Sequence, residues 1–263
     1  MNYTYLSETV GVKTISEDGK KGVFEIEGLY SGYGLTIGNA IRRVLLSSLP
    51  GVAVTYIKIR NAQHEFSTLP GVKEDLVDLT LNFKKIRFNT HTDETQTLTL
   101  KVKGEKDVTA GDVKTNSMIE IVNPEEHIAS LTSKDAELDI EITVEKGLGY
   151  SPVESRKEKK LTVGLIGIDA FFSPVRKVNY AVENMRVGEY TNYNRIRLEV
   201  ETDGTISPSS ALHKTANILN DHFKKVSEVQ IQEFEMASGK ASKKAKSEEE
   251  PKKKSRAKKK ETE

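Results

Sequence analysis

The stretch Val23-Phe-Glu-Ile-Glu-Gly-Leu29 alternates apolar and polar side chains, the period-two pattern of a half-buried strand. Glycines at 28, 32 and 34 break it. From Thr36 to Leu49 the period changes: Ile37, Ala40, Ile41, Val44 and Leu45 recur every three or four residues, as on one face of an amphipathic helix. Thr36 is the expected N-cap and Pro50-Gly51 the stop signal. Residues 52–59 form a second predicted strand. Beyond Pro70-Gly71 a short helix is predicted, with Val72, Leu76, Leu79 and Phe83 on one face. Lys84-Lys85 close it, where the helix dipole favours cations. Residues 97–102, 118–122, 137–145, 176–187 and 195–200 then alternate as strands, with Leu138, Ile140, Ile142 and Val144 facing one way. Asp139, Glu141, Thr143 and Glu145 face the other, expected to be wet.

Asp203-Gly204 ends the β region, and Ser207-Pro208 pairs a cap with a first-turn proline to open a last helix, residues 211–229. Its apolar positions are Leu212, Ala216, Leu219, Phe223 and Val226, with Ile218 and Val229 beside them. At 100° per residue they span roughly 160°, wider than the roughly 100° needed to lie on one core. Two readings follow: one deep core, or a helix shared between its own core and a second copy of the chain.

The pattern as a whole predicts an α+β protein. At 263 residues there is length for one large or two modest domains. With no Cys, disulfides, thiolate nucleophiles and Cys-based metal sites are excluded. No run approaches the roughly 20 apolar residues of a membrane-crossing helix, and the first residues lack a secretory pattern, so a cytoplasmic protein without membrane partners is expected. The net charge of +1 conceals two unlike parts. Residues 236–263 carry eleven Lys or Arg and five Glu, a net of +6, leaving 29 basic against 34 acidic residues, or −5, on the rest. A mildly acidic body argues against a broad nucleic-acid face, which needs surplus cations to displace counterions. The tail has almost nothing to bury, so disorder is expected, with at most a weak touch on nucleic acid or acidic proteins.

Candidate chemistry is sparse. Gly32-Tyr-Gly34-Leu-Thr-Ile-Gly38 follows a strand and opens a helix, as in dinucleotide-binding turns. The alternation of strands and helices that such a fold needs does not follow, and the next strand ends Lys58-Ile-Arg60 without an acidic residue for a ribose. Glycines that admit close helix packing fit the run better. Neither metal-ligand spacing nor a nucleophile elbow is present, so no catalytic residue, metal or cofactor is assigned. Of the five His, His127 and His222 fall on apolar faces, where hydrogen-bonded core positions are expected. One anomaly remains: on the 36–49 helix Leu46 stands on the back face between Arg42 and Arg43. Scattered surface Leu residues are common. Arginine beside an aliphatic residue on a rigid helix is also the make-up of a protein interface centre.

Gly32-Tyr-Gly-Leu-Thr-Ile-Gly-Asn-Ala-Ile-Arg-Arg-Val-Leu-Leu-Ser-Ser-Leu-Pro-Gly51 closely resembles the signature helix of the alpha subunit of bacterial DNA-dependent RNA polymerase. The resemblance continues in family order through His64-Glu-Phe-Ser-Thr68, Gly71-Val-Lys-Glu-Asp75, Leu81-Asn-Phe-Lys84, Gly147-Leu-Gly-Tyr150, Asp169-Ala-Phe-Phe-Ser-Pro-Val175 and Glu201-Thr-Asp-Gly-Thr-Ile206. It covers residues from about 23 to 232.

What the resemblance implies is a two-part scaffold. Residues 1–50 and 174–235 would form a dimerisation domain of sheet plus helices, residues 51–173 an inserted β-rich domain, and residues 236–263 a disordered Lys/Glu-rich tail. The homodimer would bind the beta and beta prime subunits and so assemble the polymerase, itself non-catalytic, reaching DNA through the assembled enzyme and at most weakly through the tail. Arg43, with Arg42 and Leu46, matches the beta-binding positions; Lys84 and Ile168 match positions implicated in beta prime binding. Leu212, Ala216, Leu219, Phe223 and Val226 would pair the two copies. The family's usual opening differs from residues 1–14, and its second, DNA-binding domain is expected to be missing after the tail. The alternatives from the residues alone are a dinucleotide-dependent enzyme using Gly32, Gly34 and Gly38, or a basic-tailed nucleic-acid binder.

Overall fold

The computed structural model describes residues 8–62, 64–156 and 164–229. The first half of the chain runs β1 (Gly11–Glu17), β2 (Lys21–Leu29), α1 (Tyr33–Ser47), β3 (Pro50–Ile59), α2 (Leu76–Phe83), β4 (Phe88–Thr90), β5 (Gln96–Lys103) and β6 (Lys106–Thr109). Then come β7 (Ile119–Ile121), β8 (His127–Leu131), β9 (Glu137–Leu148), β10 (Tyr150–Ser151), β11 (Leu165–Gly167), β12 (Ala170–Phe171), β13 (Val175–Val187), β14 (Tyr190–Thr202) and α3 (Pro208–Ser227). The α+β expectation holds.

The two ends of the chain build one sheet, ordered β1-β2-β14-β13 with every neighbour antiparallel. Alternation places Phe24 and Ile26 of β2 and Ile196, Leu198 and Val200 of β14 on one face. There they meet Ile41 and Leu45 of α1 and Ala211 of α3 in a buried cluster. The opposite face is ionic: Lys13 pairs with Glu27 at 2.5 Å, and Arg195 lies among Glu25, Glu27 and Glu183.

The intervening residues build a second antiparallel sheet, β11-β3-β9-β5. Leu138, Ile140, Ile142 and Val144 of β9 all point into its core, against Leu76, Leu79 and Phe83 of α2. Truncating any one of these leucines to Ala should cost about 2–5 kcal/mol, because the close-packed surroundings collapse only partly around the void.

Local readings fail where distant residues decide. Helix α1 begins at Tyr33, not after Thr36, and Gly32 occupies the cap with φ 87°. The reason is Asn194 of β14, whose Oδ1 accepts from Gly32 N at 2.9 Å and Gly34 N at 3.4 Å, doing from across the sheet what a local cap would do. Strand β1 carries no apolar signal because six of its seven residues are exposed at the sheet edge. Val72 does not join α2 but bridges to Leu131; the helix starts later, where the Asp75 carboxylate accepts from Asp78 N at 2.7 Å. Helix α3 opens as predicted, with the Ser207 hydroxyl accepting from Ser210 N at 3.3 Å, but ends at Ser227. His127 and His222 are both exposed rather than in a core. His127 instead bonds the Glu74 carboxylate at 3.0 Å. Asp139 is also less wet than expected, tucked between Lys101 at 3.1 Å and Arg60 at 3.9 Å. The basic tail from residue 236 lies outside the described residues.

Candidate assembly surfaces

Helix α1 sits unusually close to its sheet. A side chain at Gly34 would come within 2.6 Å of Val182 Cγ1 and 3.0 Å of Asn194 Cβ, and one at Gly38 within 2.8 Å of the Tyr180 ring. The glycine run is therefore a packing surface. Its first amides are already taken by Asn194, and among the described residues the strands it serves are antiparallel, so the turn offers no phosphate cradle.

That close seat sorts the three α1 residues singled out above. Arg42 Nε donates to the Val178 carbonyl at 3.3 Å, which ties it to β13. Leu46 is half-buried and packs on the first-sheet core, while its carbonyl accepts from Ser173 Oγ at 3.2 Å. The Leu46 side chain thus does not stand free between two arginines. Arg43 is exposed, and its guanidinium has no hydrogen bond or ion pair among the described residues.

A second surface gathers at the C-terminal end of α2. Lys84 Nζ lies 5.9 Å from the centre of the Tyr150 ring, within cation–π range. Tyr150 and Phe171 are cross-strand partners in β10 and β12, both exposed. The Asp169 carboxylate accepts from Val153 N at 3.0 Å. That amide, more than the Tyr150 hydroxyl and the nearby Lys84 and Arg156 charges, holds Asp169 below the usual carboxylate range, against the opposing effect of burial. In return the hydrogen bond to Asp169 pushes the Tyr150 hydroxyl up. Arg156 stacks 5.0 Å over the Tyr56 ring and donates to the carbonyls of Thr55, at 3.1 Å, and Ile168. Ile168 itself is 4% exposed, inside the second-sheet core. Its side chain underlies this surface from within that core.

The third surface is α3. Ala211 and Thr215 are buried, Leu212, Ile218 and Leu219 half-buried, and Ala216 exposed. Phe223 and Val226 are 65% and 68% exposed. The wide apolar stripe is thus only partly consumed by the chain's own core. Sequence reasoning missed Asn194 and Arg156, which are polar residues whose partners lie far along the chain. No cluster of three or more His, Cys, Asp or Glu suited to a metal occurs among the described residues. No helix there is long and apolar enough to cross a membrane.

The RNA polymerase Rpb3/RpoA insert domain family matches residues 57–173. A DNA-directed RNA polymerase subunit alpha from Alkaliphilus oremlandii is 46% identical over 213 residues, covering 81% of this chain and 67% of the relative. The chain belongs to the alpha-subunit family of DNA-directed RNA polymerase. Alpha subunits from Symbiobacterium thermophilum, 50% identical over 208 residues, and Chloroherpeton thalassium, 48% over 218, agree. The match spans 66% of the length of each of these two alpha subunits. The alpha-family insert match includes Lys84, Tyr150, Arg156, Ile168 and Asp169, so the second surface lies within it.

Proposed function

We propose that the chain acts as the homodimeric platform on which the beta and beta prime subunits of DNA-directed RNA polymerase assemble. The match to alpha subunits along about four-fifths of the chain carries this reading. Residues 1–50 and 174–235 are the dimerisation domain and residues 51–173 the insert. Two copies join through α3, where Leu219, Phe223 and Val226 gain cover that the described residues of one chain do not supply. Burying a Phe side chain and a Val side chain contributes about 1.5–3 kcal/mol each. Mirrored by two-fold symmetry, that is enough to matter for association.

Arg43 binds the beta subunit. Its planar head is charged, exposed and unpaired among the described residues, so meeting a carboxylate breaks no bond seen there. Leu46 and Arg42 hold the helix under it. Lys84, with Tyr150 and Asp169, forms the beta prime surface, which Ile168 supports from the core. The chain takes no part in nucleotidyl transfer, works in the cytoplasm and meets DNA through the assembled enzyme. In a pull-down with purified beta, Arg43→Ala should leave a folded dimer that captures at least tenfold less beta. Undiminished capture would remove Arg43 from the interface.

A further inference from the structure

Arg87 lies in the turn between α2 and β4, between two residues buried in the second-sheet core, Ile86 and Phe88. Its backbone is fixed on both sides: N donates to Asn123 Oδ1 at 2.7 Å and the carbonyl accepts from Val122 N at 2.9 Å. The side chain turns away from that core. Its Nη1 donates to the carbonyl of Lys84 at 3.4 Å, and its Nε lies 3.5 Å from Asp203 Oδ2. Asp203 follows the end of β14 in the first sheet. Its other oxygen is occupied by Thr205, through N at 3.0 Å and Oγ1 at 2.6 Å, which leaves Oδ2 for the ion-pair contact with Arg87, whose buried Nε makes no hydrogen bond among the described residues.

Both side chains are largely shielded, with 16% and 6% of their surface exposed. Among the described residues this is the one ion pair that joins a residue of one sheet's layer to a residue of the other's; the remaining pairs each lie within one layer. The chain crosses between the layers at Leu49-Pro50 and at Ser173-Pro174. The crossings are neighbours, since Ser173 Oγ donates to the Leu46 carbonyl, and Asp203 N donates to the Pro174 carbonyl at 3.0 Å. Two adjacent covalent crossings leave a pivot. A charged contact from a third segment, desolvated and so only weakly screened by salt, restrains it. The same neck is packed: a side chain at Gly204 would touch Val122 Cγ1 at 3.6 Å.

We propose that Arg87 is a positioning residue: by gripping Asp203 and the Lys84 carbonyl together, it sets the orientation of the Lys84 surface relative to the α1 helix that carries Arg43. The link to beta prime capture rests on the assembly reading above. Burial opposes the charge on Arg87, Asp203 and to a lesser extent Glu126 offset it, and Arg176 nearby adds a like charge. Asp203 is thus the larger of the two acidic influences on the guanidinium. In assembly terms, Arg87 fixes how the Lys84 face is presented from the dimer platform.

The chain has no Cys, so Lys103→Cys with Lys177→Cys supplies the only labelling sites, one on β5 and one on β13. Spin-label distances are measured on the full chain diluted with unlabelled protein. Parent protein should give one narrow distance. Asp203→Asn, which keeps an acceptor for Thr205 while removing the charge, and Arg87→Met should each broaden it at least twofold. The combined variant should be no broader than either alone. Capture of beta prime should fall about tenfold and capture of beta stay within twofold. Unchanged distance widths in folded variants overturn the proposal, and Asp203→Asn decides it if Arg87→Met does not fold. Parent protein that captures neither large subunit refutes the assembly reading instead, while the distance widths still decide the role of Arg87.

Discussion

Gly34→Ala puts one methyl group where α1 meets its sheet. The new Cβ would lie 2.6 Å from Val182 Cγ1, against the roughly 3.5–4.0 Å of an ordinary carbon contact, so about 1 Å must be made up. It would also lie 3.0 Å from Asn194 Cβ and 3.2 Å from its Oδ1. Forcing extra volume into such a seam costs about 1–3 kcal/mol. Pushing Asn194 back weakens its two bonds to Gly32 N and Gly34 N, each worth about 1 kcal/mol. The better helix propensity of Ala returns about 1 kcal/mol. The balance is a loss of about 2 kcal/mol, which for a chain of this size lowers the melting temperature by about 4–8 °C. Circular-dichroism melts at fixed protein concentration read it directly. Adding Val182→Ala removes the nearest atom and should recover the overpacking part of the loss, as measured against Val182→Ala alone. A Gly34→Ala protein as stable as its parent, or more so, refutes the packing account and reopens the glycine run as a ligand turn.

On α3, Leu219→Glu with Phe223→Glu should give monomers that retain the β-sheet circular-dichroism signal in sedimentation velocity; a stable dimer excludes this helix from the interface. Glu74 tests the electrostatics of the second layer. Partial burial raises its pKa, but the Ser130 amide, at 2.8 Å, and the His127 ring together hold it below the ordinary glutamate value. A depressed folded-state pKa stabilises fully above the unfolded value of about 4.3, and the benefit disappears as pH falls through the lower folded value. Glu74→Gln should therefore cost stability in urea melts at pH 7 and little below that folded value. An equal cost at both would show that packing, not charge, is what Glu74 contributes.

Much of the fold is written in local periodicity. The alternation in β2 and β9 and the three-four spacing in α1 survive in the structure because each element has one face in a core and one out. Strand β1 was illegible for the converse reason: an exposed edge strand imposes no apolar pattern. The start of α1 was misplaced because its cap comes from Asn194, 162 residues away. The excess width of the α3 stripe was legible and is matched by the exposed Phe223 and Val226. At the candidate surfaces residue type alone could not separate Arg43 from Arg42, since only the Val178 carbonyl distinguishes them. Nor could it tell that Ile168 is buried while the neighbouring Asp169 carries the surface chemistry. Arg87 and Asp203 were invisible as a pair because they stand 116 positions apart in the chain.

The central claim is assembly on a dimer, and purification of the native complex through an affinity tag on this chain tests it most directly. Intact-complex mass spectrometry should find two copies of the chain with one beta and one beta prime subunit. A chain recovered alone, or with partners that include neither large polymerase subunit, would contradict the account.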